Sequence, residues 1–384
     1  MRFLTHLEAT SDGTRLPPDT LQTNHDGQPI AARYDLAAIR DRVDRDALAR
    51  RPATMWRYRE LLPYASEDDI VSLGENTTPL LPCPRLGQHL GVSNLRVKDE
   101  SMLPTGSFKA RGMAMAVTMA RALGVEHVGT PTAGNAGGAL AAYAARAGMR
   151  CTVLMPDDTP IVNQREAAWY GARAFVVDGL IHQCGAIVGE GARRGLWFDM
   201  STMKEPYRLE GKKTMGLELA DQLGWRLPDA IFYPTGGGTG LVGMHKASGC
   251  APVVRAVEQG RDTAELVENA HTAASGLRVP KPFADRMILT ALRESGGTAI
   301  AADEARLPEF AEAAMRLEGL ALCPETAACL VAVQEALAAG QITKDAEVVV
   351  FNTGAMQKYV EFMARDLPSL QRDAIDWERL AAAD

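Results

Sequence analysis

A chain of 384 residues is too long for one small core, and about two domains is the natural expectation. Hydrophobic residues make up 46% and charged residues 23%, and the formal net charge is −7 with both signs interspersed; this argues for solubility and against a nucleic-acid footprint, which needs a clustered basic face. Export and membrane signals are missing, because polar residues follow Met1-Arg2-Phe3-Leu4 at once and the Ala-rich stretch 136–147 is broken by Tyr143 and Arg146.

Residues 1–75 carry turn signals at Asp12-Gly13 and Asp26-Gly27, a charged helix around 36–50 and a Trp/Tyr-bearing stretch at 54–64. They read as an N-terminal extension that packs on the main body. From Thr77 onward short apolar strands alternate with helices. Strands are predicted at 94–98, 126–130, 150–155, 173–177, 230–234 and 347–352, and helices near 107–123, 135–147, 161–171, 181–195, 209–224 and 325–338. That alternation implies an α/β fold with parallel sheets covered on both faces. Six cysteines (Cys83, Cys151, Cys184, Cys250, Cys323 and Cys329) form no CxxC pair and are expected as reduced, mostly buried thiols of a cytoplasmic protein. The histidines form no metal-spaced cluster, and no metal is expected.

Ligands of such sheets bind where strands end and helices begin. Three loops with suggestive chemistry lie there: Thr132-Ala133-Gly134-Asn135-Ala136-Gly137, Gly236-Gly237-Gly238-Thr239-Gly240, and Asn352-Thr353-Gly354. A fourth segment, Pro104-Thr105-Gly106-Ser107-Phe108-Lys109-Ala110-Arg111-Gly112, offers one lysine on a Gly-flanked turn. A helix N-terminus and partial burial lower a lysine's pKa toward the neutral amine that attacks an aldehyde. Glycines let backbone N–H groups approach an anion without an intervening Cβ, and the positive end of the next helix favours the charge. An amine and a phosphate cradle together suit pyridoxal phosphate, which is anchored at both ends. Asn135 reads either as an ordinary N-cap or as a donor to a phenolate oxygen, and Thr353 offers one hydroxyl. Tyr207-Arg208-Leu209-Glu210-Gly211-Lys212-Lys213 places three positive side chains at a helix start, where they oppose the dipole and an anionic ligand would relieve the tension.

These segments, with Asn76-Thr77-Thr78-Pro79-Leu80 and Lys98-Asp99-Glu100, resemble those of threonine synthases in the fold type II group of pyridoxal-phosphate enzymes, over roughly residues 70–360. The resemblance implies two doubly wound parallel-sheet domains with the cofactor in the cleft between them. The expected boundaries are 76–110 plus 205–384 for the larger, 111–204 for the smaller, and 1–75 for the extension packed on the larger domain. It implies that Lys109 carries the cofactor on its amine and shuttles protons, that Asn135 contacts the ring oxygen, that Gly236, Gly237, Gly238, Thr239 and Gly240 cradle the phosphate, and that Thr353 bonds the pyridine nitrogen. The implied substrate is O-phospho-L-homoserine, which loses phosphate and gains water to give threonine. Arg208, with Lys212, would hold the substrate phosphate; Thr132, Gly134 and Ala136 would hold its carboxylate. A homodimer is also implied. A threonine or serine dehydratase-like lyase is the alternative activity, and a catalytically silent cofactor-binding protein a third reading.

Three departures from the family pattern stand out. Where many members have an Asn-Ser pair and an Asn-Pro, this chain reads Ser201-Thr202-Met203-Lys204-Glu205-Pro206, so the substrate-phosphate pocket is altered. Some relatives carry a cysteine-rich, zinc-ribbon-like N-terminus; the corresponding turns here, Glu8 to Gly13 and Gln22 to Gly27, keep their glycines without thiol ligands. After the glycine loop a helix stops near Ala247 and Ser248-Gly249-Cys250-Ala251-Pro252 begins another, so a returning strand of the sheet is expected to be missing.

Overall fold

The computed structural model describes residues 3–245, 263–264, 272–279, 282–364, 372, 377 and 380. Strands β1 (Leu4–Ala9), β2 (Arg15–Leu16) and β3 (Ile30–Tyr34) form an antiparallel sheet in the order β2-β1-β3. The Asp26-Gly27 turn before β3 has both residues in the left-handed region, φ 47° and 72°, the conformation that Asp and Gly tolerate. Two short helices follow, α1 (Leu36–Arg42) and α2 (Arg45–Ala49), each N-capped by an aspartate side chain.

The larger sheet holds β4 (Leu80–Pro82), β5 (Asn94–Asp99), β10 (Ala230–Phe232) and β11 (Glu347–Asn352) in the order β10-β11-β5-β4. Only β4, at its edge, runs antiparallel. All six residues of β11 are buried, as a Val-rich central strand covered on both faces must be. The smaller sheet, order β8-β7-β6-β9, is wholly parallel and contains β6 (His127–Pro131), β7 (Arg150–Pro156), β8 (Arg173–Val177) and β9 (Phe198–Asp199). Helices α4 (Lys109–Ala122), α5 (Asn135–Arg146), α6 (Ile161–Trp169), α7 (Ile181–Arg193) and α8 (Tyr207–Gln222) join these strands, and α3 (Pro84–Leu90) precedes β5. The six predicted strands and six predicted helices are all present, with ends shifted by no more than two residues. The expected missing strand falls outside the described residues.

The extension seats itself broadly. Leu4, Leu7, Ile30, Met55 and Leu62 share one core with Met113 and Val117 of α4, Val128 of β6 and Tyr143 of α5. Its polar side chains reach α8 instead, where Tyr34 donates to Glu210 at 2.8 Å and Tyr58 donates to Asp221 at 3.0 Å. It therefore bears on the smaller sheet's side of the molecule as well as on α8, not on the larger sheet alone.

A charged cluster cut off from water links β5, α4 and α8. Arg111, Glu100 and Lys98 are 0% exposed and Glu218 is 1% exposed. Arg111 donates to Glu100 at 2.7 and 2.9 Å and to Glu218 at 2.9 and 3.0 Å, while Lys98 also pairs with Glu218. Thr78 completes the set, donating its hydroxyl to Glu100 at 2.7 Å and its N–H to Glu218 at 2.8 Å. Segments far apart in sequence (76–80, 98–111 and α8) are thereby fixed to one another, and Lys109 starts a helix whose third residue is clamped. Interior charges are tolerated only when paired and hydrogen-bonded in this way.

Candidate active site

The turn that presents Lys109 is tied to the loop after β11. Phe108 N donates to Thr353 O at 3.1 Å, Ala355 N donates to Gly106 O at 2.8 Å, and Ser107 forms a β-bridge with Gly354. Thr105 and Gly106 take left-handed backbone at φ 59° and 58°. For a threonine that conformation costs on the order of 1 kcal/mol, and it persists because the surrounding bonds over-determine it. Lys109 and Thr353 are thus held together by backbone alone.

The Lys109 amine makes no hydrogen bond or ion pair among the described residues and lies 4.1 Å from the centre of the Phe108 ring. Burial, and then the positive charge of Arg208, bring its pKa down to about 7. A large share of the amine is therefore neutral near pH 7.

Lys109 lines one pocket with Gly134, Asn135, Thr353 and the whole of Gly236–Gly240. The glycine loop runs from β10 into α9 (Thr239–His245). Side chains could not replace its glycines. A Cβ at Gly237 would come within 2.8 Å of Thr202, one at Gly240 would strike the Tyr233 hydroxyl, and Gly238 has φ +83°. Asn135, Tyr233 and Glu325 line the pocket, and each keeps a buried polar atom (Oδ1, the hydroxyl and Oε2) without a hydrogen-bond partner among the described residues. Buried polar atoms want partners. An amine free of partners, a loop with no room for Cβ atoms, a hydroxyl at Thr353 and unpartnered polar groups fit pyridoxal phosphate.

The other expected contacts fare differently. The Thr132 hydroxyl donates to Gly134 O at 2.8 Å and accepts from Gly134 N at 3.1 Å and Gly137 N at 3.2 Å. Its hydrogen-bonding capacity is used in shaping the loop, leaving none for a substrate carboxylate in this structure. Ala136 is half-buried in the first turn of α5, where N–H groups have no intrahelical acceptor.

Arg208 and Lys212 stand one turn apart on α8 and are buried, but neither lines the pocket that holds Lys109. Arg208 donates to Met200 O at 3.1 Å, and its Nε has no hydrogen-bond partner among the described residues. Lys212 donates to Phe108 O and sits 3.7 Å from the Phe108 ring centre. Both crowd against Gly112, where a Cβ would meet Lys212 Cε at 2.8 Å and Arg208 Cγ at 3.0 Å. The tension between positive charge and helix dipole has an internal answer. Glu205 accepts from Tyr207 N at 2.8 Å and Arg208 N at 3.0 Å, placing a carboxyl at the helix start. Burial pushes that carboxyl up to about 7.

Tyr233, Glu325 and Tyr359 line the pocket without having been marked in the sequence, and Cys323, expected only as a buried thiol, stands beside Thr353. Cys323 Sγ lies 3.6 Å from Thr353 Oγ1, and burial pushes the thiol up to about 12, so it stays protonated. Glu325 opens a helix, where an acidic residue is ordinary, and Tyr359 follows the last strand without any motif. The five described cysteines are all free and buried; Cys250 lies outside the described residues. Among the described residues no helix is long and apolar enough to cross a membrane.

Comparison with known proteins agrees with this geometry. Residues 71–354 match the family described as pyridoxal-phosphate dependent enzyme. The chain is 34% identical over 343 residues to the threonine synthase of Methanocaldococcus jannaschii, covering 84% of each protein. It is 33% identical over 347 residues to that of Methanosarcina acetivorans, covering 85% of this chain and 84% of the relative. Among solved structures, the processed form of threonine deaminase isoform 2 from Solanum lycopersicum superposes with a TM-score of 0.64 at 19% identity, over 81% of this chain and 94% of that one; at that identity the likeness shows the fold alone. Lys109 and the glycine loop thus sit on a fold type II scaffold, and this chain belongs to the pyridoxal-phosphate dependent enzyme family.

Proposed function

We propose that the protein is a threonine synthase, converting O-phospho-L-homoserine and water to L-threonine and phosphate. One observation carries the reading: the Lys109 amine, which makes no hydrogen bond or ion pair among the described residues, lines the same pocket as the whole Gly236–Gly240 loop. The relatives at 34% and 33% identity support the choice of substrate. When bound, pyridoxal phosphate supplies a conjugated ring that draws electrons from the substrate's carbons.

In this reading Lys109 holds the cofactor and passes protons to and from the substrate, for which a pKa near working pH is best matched. The N–H groups of Gly236–Gly240 bind the cofactor phosphate. Thr353 presents a hydroxyl, which can hydrogen-bond a ring nitrogen but cannot surrender a full proton to it as an acid would. The first-turn N–H groups of α5 receive the substrate carboxylate. Arg208, whose Nε has no hydrogen-bond partner among the described residues, is the group proposed to hold the substrate phosphate.

Phosphate release and threonine formation from phosphohomoserine test the proposal directly. Arg208→Ala is expected to lower turnover of phosphohomoserine by roughly 10²-fold, as the loss of a buried charged hydrogen bond does, while the cofactor's visible band persists. Unchanged turnover would remove Arg208 from the site. A dehydratase is the second reading, favoured by the position of Arg208 and Lys212 outside the pocket wall; it requires 2-oxobutyrate from threonine and no phosphate release.

We also infer a cytoplasmic homodimer. The free, buried cysteines suit a reducing compartment. The edge strand β8 leaves Phe175 and Val176 exposed, at 47% and 54%, on a sheet edge open to pairing with a second copy. Sedimentation equilibrium is expected to give twice the mass of 41.3 kDa, and Phe175→Lys to shift it toward the monomer; a monomer in the unaltered protein refutes the inference.

A further inference from the structure

Glu325 starts the helix Pro324–Ala338 and is 4% exposed, yet none of the roles above uses it. Its Oε1 accepts from the Tyr359 hydroxyl at 2.9 Å and from Gly276 N at 2.8 Å, and its Oε2 has no hydrogen-bond partner among the described residues. The Tyr359 hydroxyl in turn accepts from Asn135 Nδ2 at 3.0 Å. All three residues line the pocket that holds Lys109.

What each group can donate fixes the direction of this chain. A carboxylate only accepts. Burial and the charge of Glu325 keep the Tyr359 phenol protonated, so its single proton goes to Glu325. The phenol oxygen is then an acceptor, and Asn135 must turn its NH₂ end toward it. The second N–H of that amide and the unpartnered Oδ1 are thereby committed to one arrangement. An amide can bind either way round, and only its neighbours decide which. Glu325 also acts on Lys109 by attraction, opposing burial and Arg208, both of which discourage positive charge on the amine.

We propose that Glu325 is a positioning residue of this site: through Tyr359 it locks the Asn135 amide in one orientation, and its carboxylate offsets the positive surroundings of Lys109. The proposal rests on the reading of this pocket as the pyridoxal-phosphate site. A glutamine at position 325 keeps the shape but can donate as well as accept, so it removes both the charge and the direction of the chain. Phenylalanine at 359 removes only the relay.

The test compares wild-type holoenzyme with Glu325→Gln, Tyr359→Phe and the double variant. The readouts are the pH midpoint of the cofactor's visible band, kcat for phosphohomoserine, and the melting temperature. Glu325→Gln is expected to move the midpoint downward, because a negative neighbour of the Lys109 nitrogen is lost. Tyr359→Phe, which leaves that charge in place, keeps the wild-type midpoint. Each single change lowers kcat by roughly ten- to a hundredfold, the usual effect of removing a group that orients another, and the double variant loses less than the product of the two. A wild-type midpoint in Glu325→Gln, or losses that multiply in the double variant, overturns the proposal. Should Glu325→Gln fail to fold, Tyr359→Phe decides: undiminished kcat refutes the relay. A wild-type protein that binds cofactor but releases no phosphate refutes the threonine synthase reading alone, since the midpoints still discriminate.

Discussion

Lys109→Ala abolishes the cofactor-linked visible absorption and lowers turnover by roughly 10²–10⁴-fold or more, the span associated with losing a positioned proton-transfer group. The fold survives, because the lysine amine makes no hydrogen bond or ion pair among the described residues and its place in the turn is fixed by the backbone bonds of Phe108, Gly106 and Ala355. Cofactor-stripped variant and cofactor-stripped wild type are therefore expected to melt together. The same amine predicts a pH dependence. Attack on an aldehyde needs the neutral form, which exists above the pKa, and here that pKa is about 7 instead of the ordinary 10.5. Uptake of pyridoxal phosphate by the stripped protein should thus rise with pH through about 7 and level off above it. A rate that keeps climbing toward about pH 10, as for a solvated lysine, would show that the site does not depress the amine. A variant that stayed yellow and active would end the covalent assignment altogether.

Much of this arrangement is legible in the chain because its signals are local. The valines of β11, the strand-ending glycine loop and the Gly-flanked lysine each announce their structure within a few residues, and strand ends are where ligands bind. The first sheet is harder to read. A register shift between Leu4 and His6 interrupts the alternation of β1, so a period-two pattern never forms over its six residues. Glu325 and Tyr359 are illegible for another reason: their significance lies in a hydrogen bond between residues 34 positions apart, which no spacing rule reports. Thr132 and Arg208 show the converse. Each has the right chemistry for a ligand contact, yet Thr132 commits its hydroxyl to Gly134 and Gly137, and the carboxyl of Glu205 answers the charge at the start of α8. Sequence identifies the groups that could bind, whereas packing decides which of them remain free to do so.

Arg111→Met is expected to cost about 3–5 kcal/mol of stability, the penalty for breaking a buried ionic cluster by removing one member, and to lower the melting temperature by roughly 4–6 °C for a chain of this size. The reason is asymmetry. Methionine fills much of the volume, but Glu100 and Glu218 lose four charged hydrogen bonds from Arg111 with no water to replace them. Adding Glu100→Gln to Arg111→Met should restore part of the loss, because the carboxylate left without a cation is then removed while Glu218 keeps its pairing with Lys98. The cluster also sets an acid limit. Arg111 and Lys98 outweigh burial and hold the Glu218 carboxyl down at about 2, below its ordinary 4.5. A carboxyl whose pKa is lower folded than unfolded adds stability that is fully present above the unfolded value and disappears as pH falls toward the folded one. Stability should therefore decline between pH 4.5 and about 2, and Glu218→Gln should flatten that decline while lowering the plateau at neutral pH. Urea midpoints measured across this range decide the matter: an acid slope in Glu218→Gln as steep as that of the unaltered protein would place the acid sensitivity in some other carboxyl.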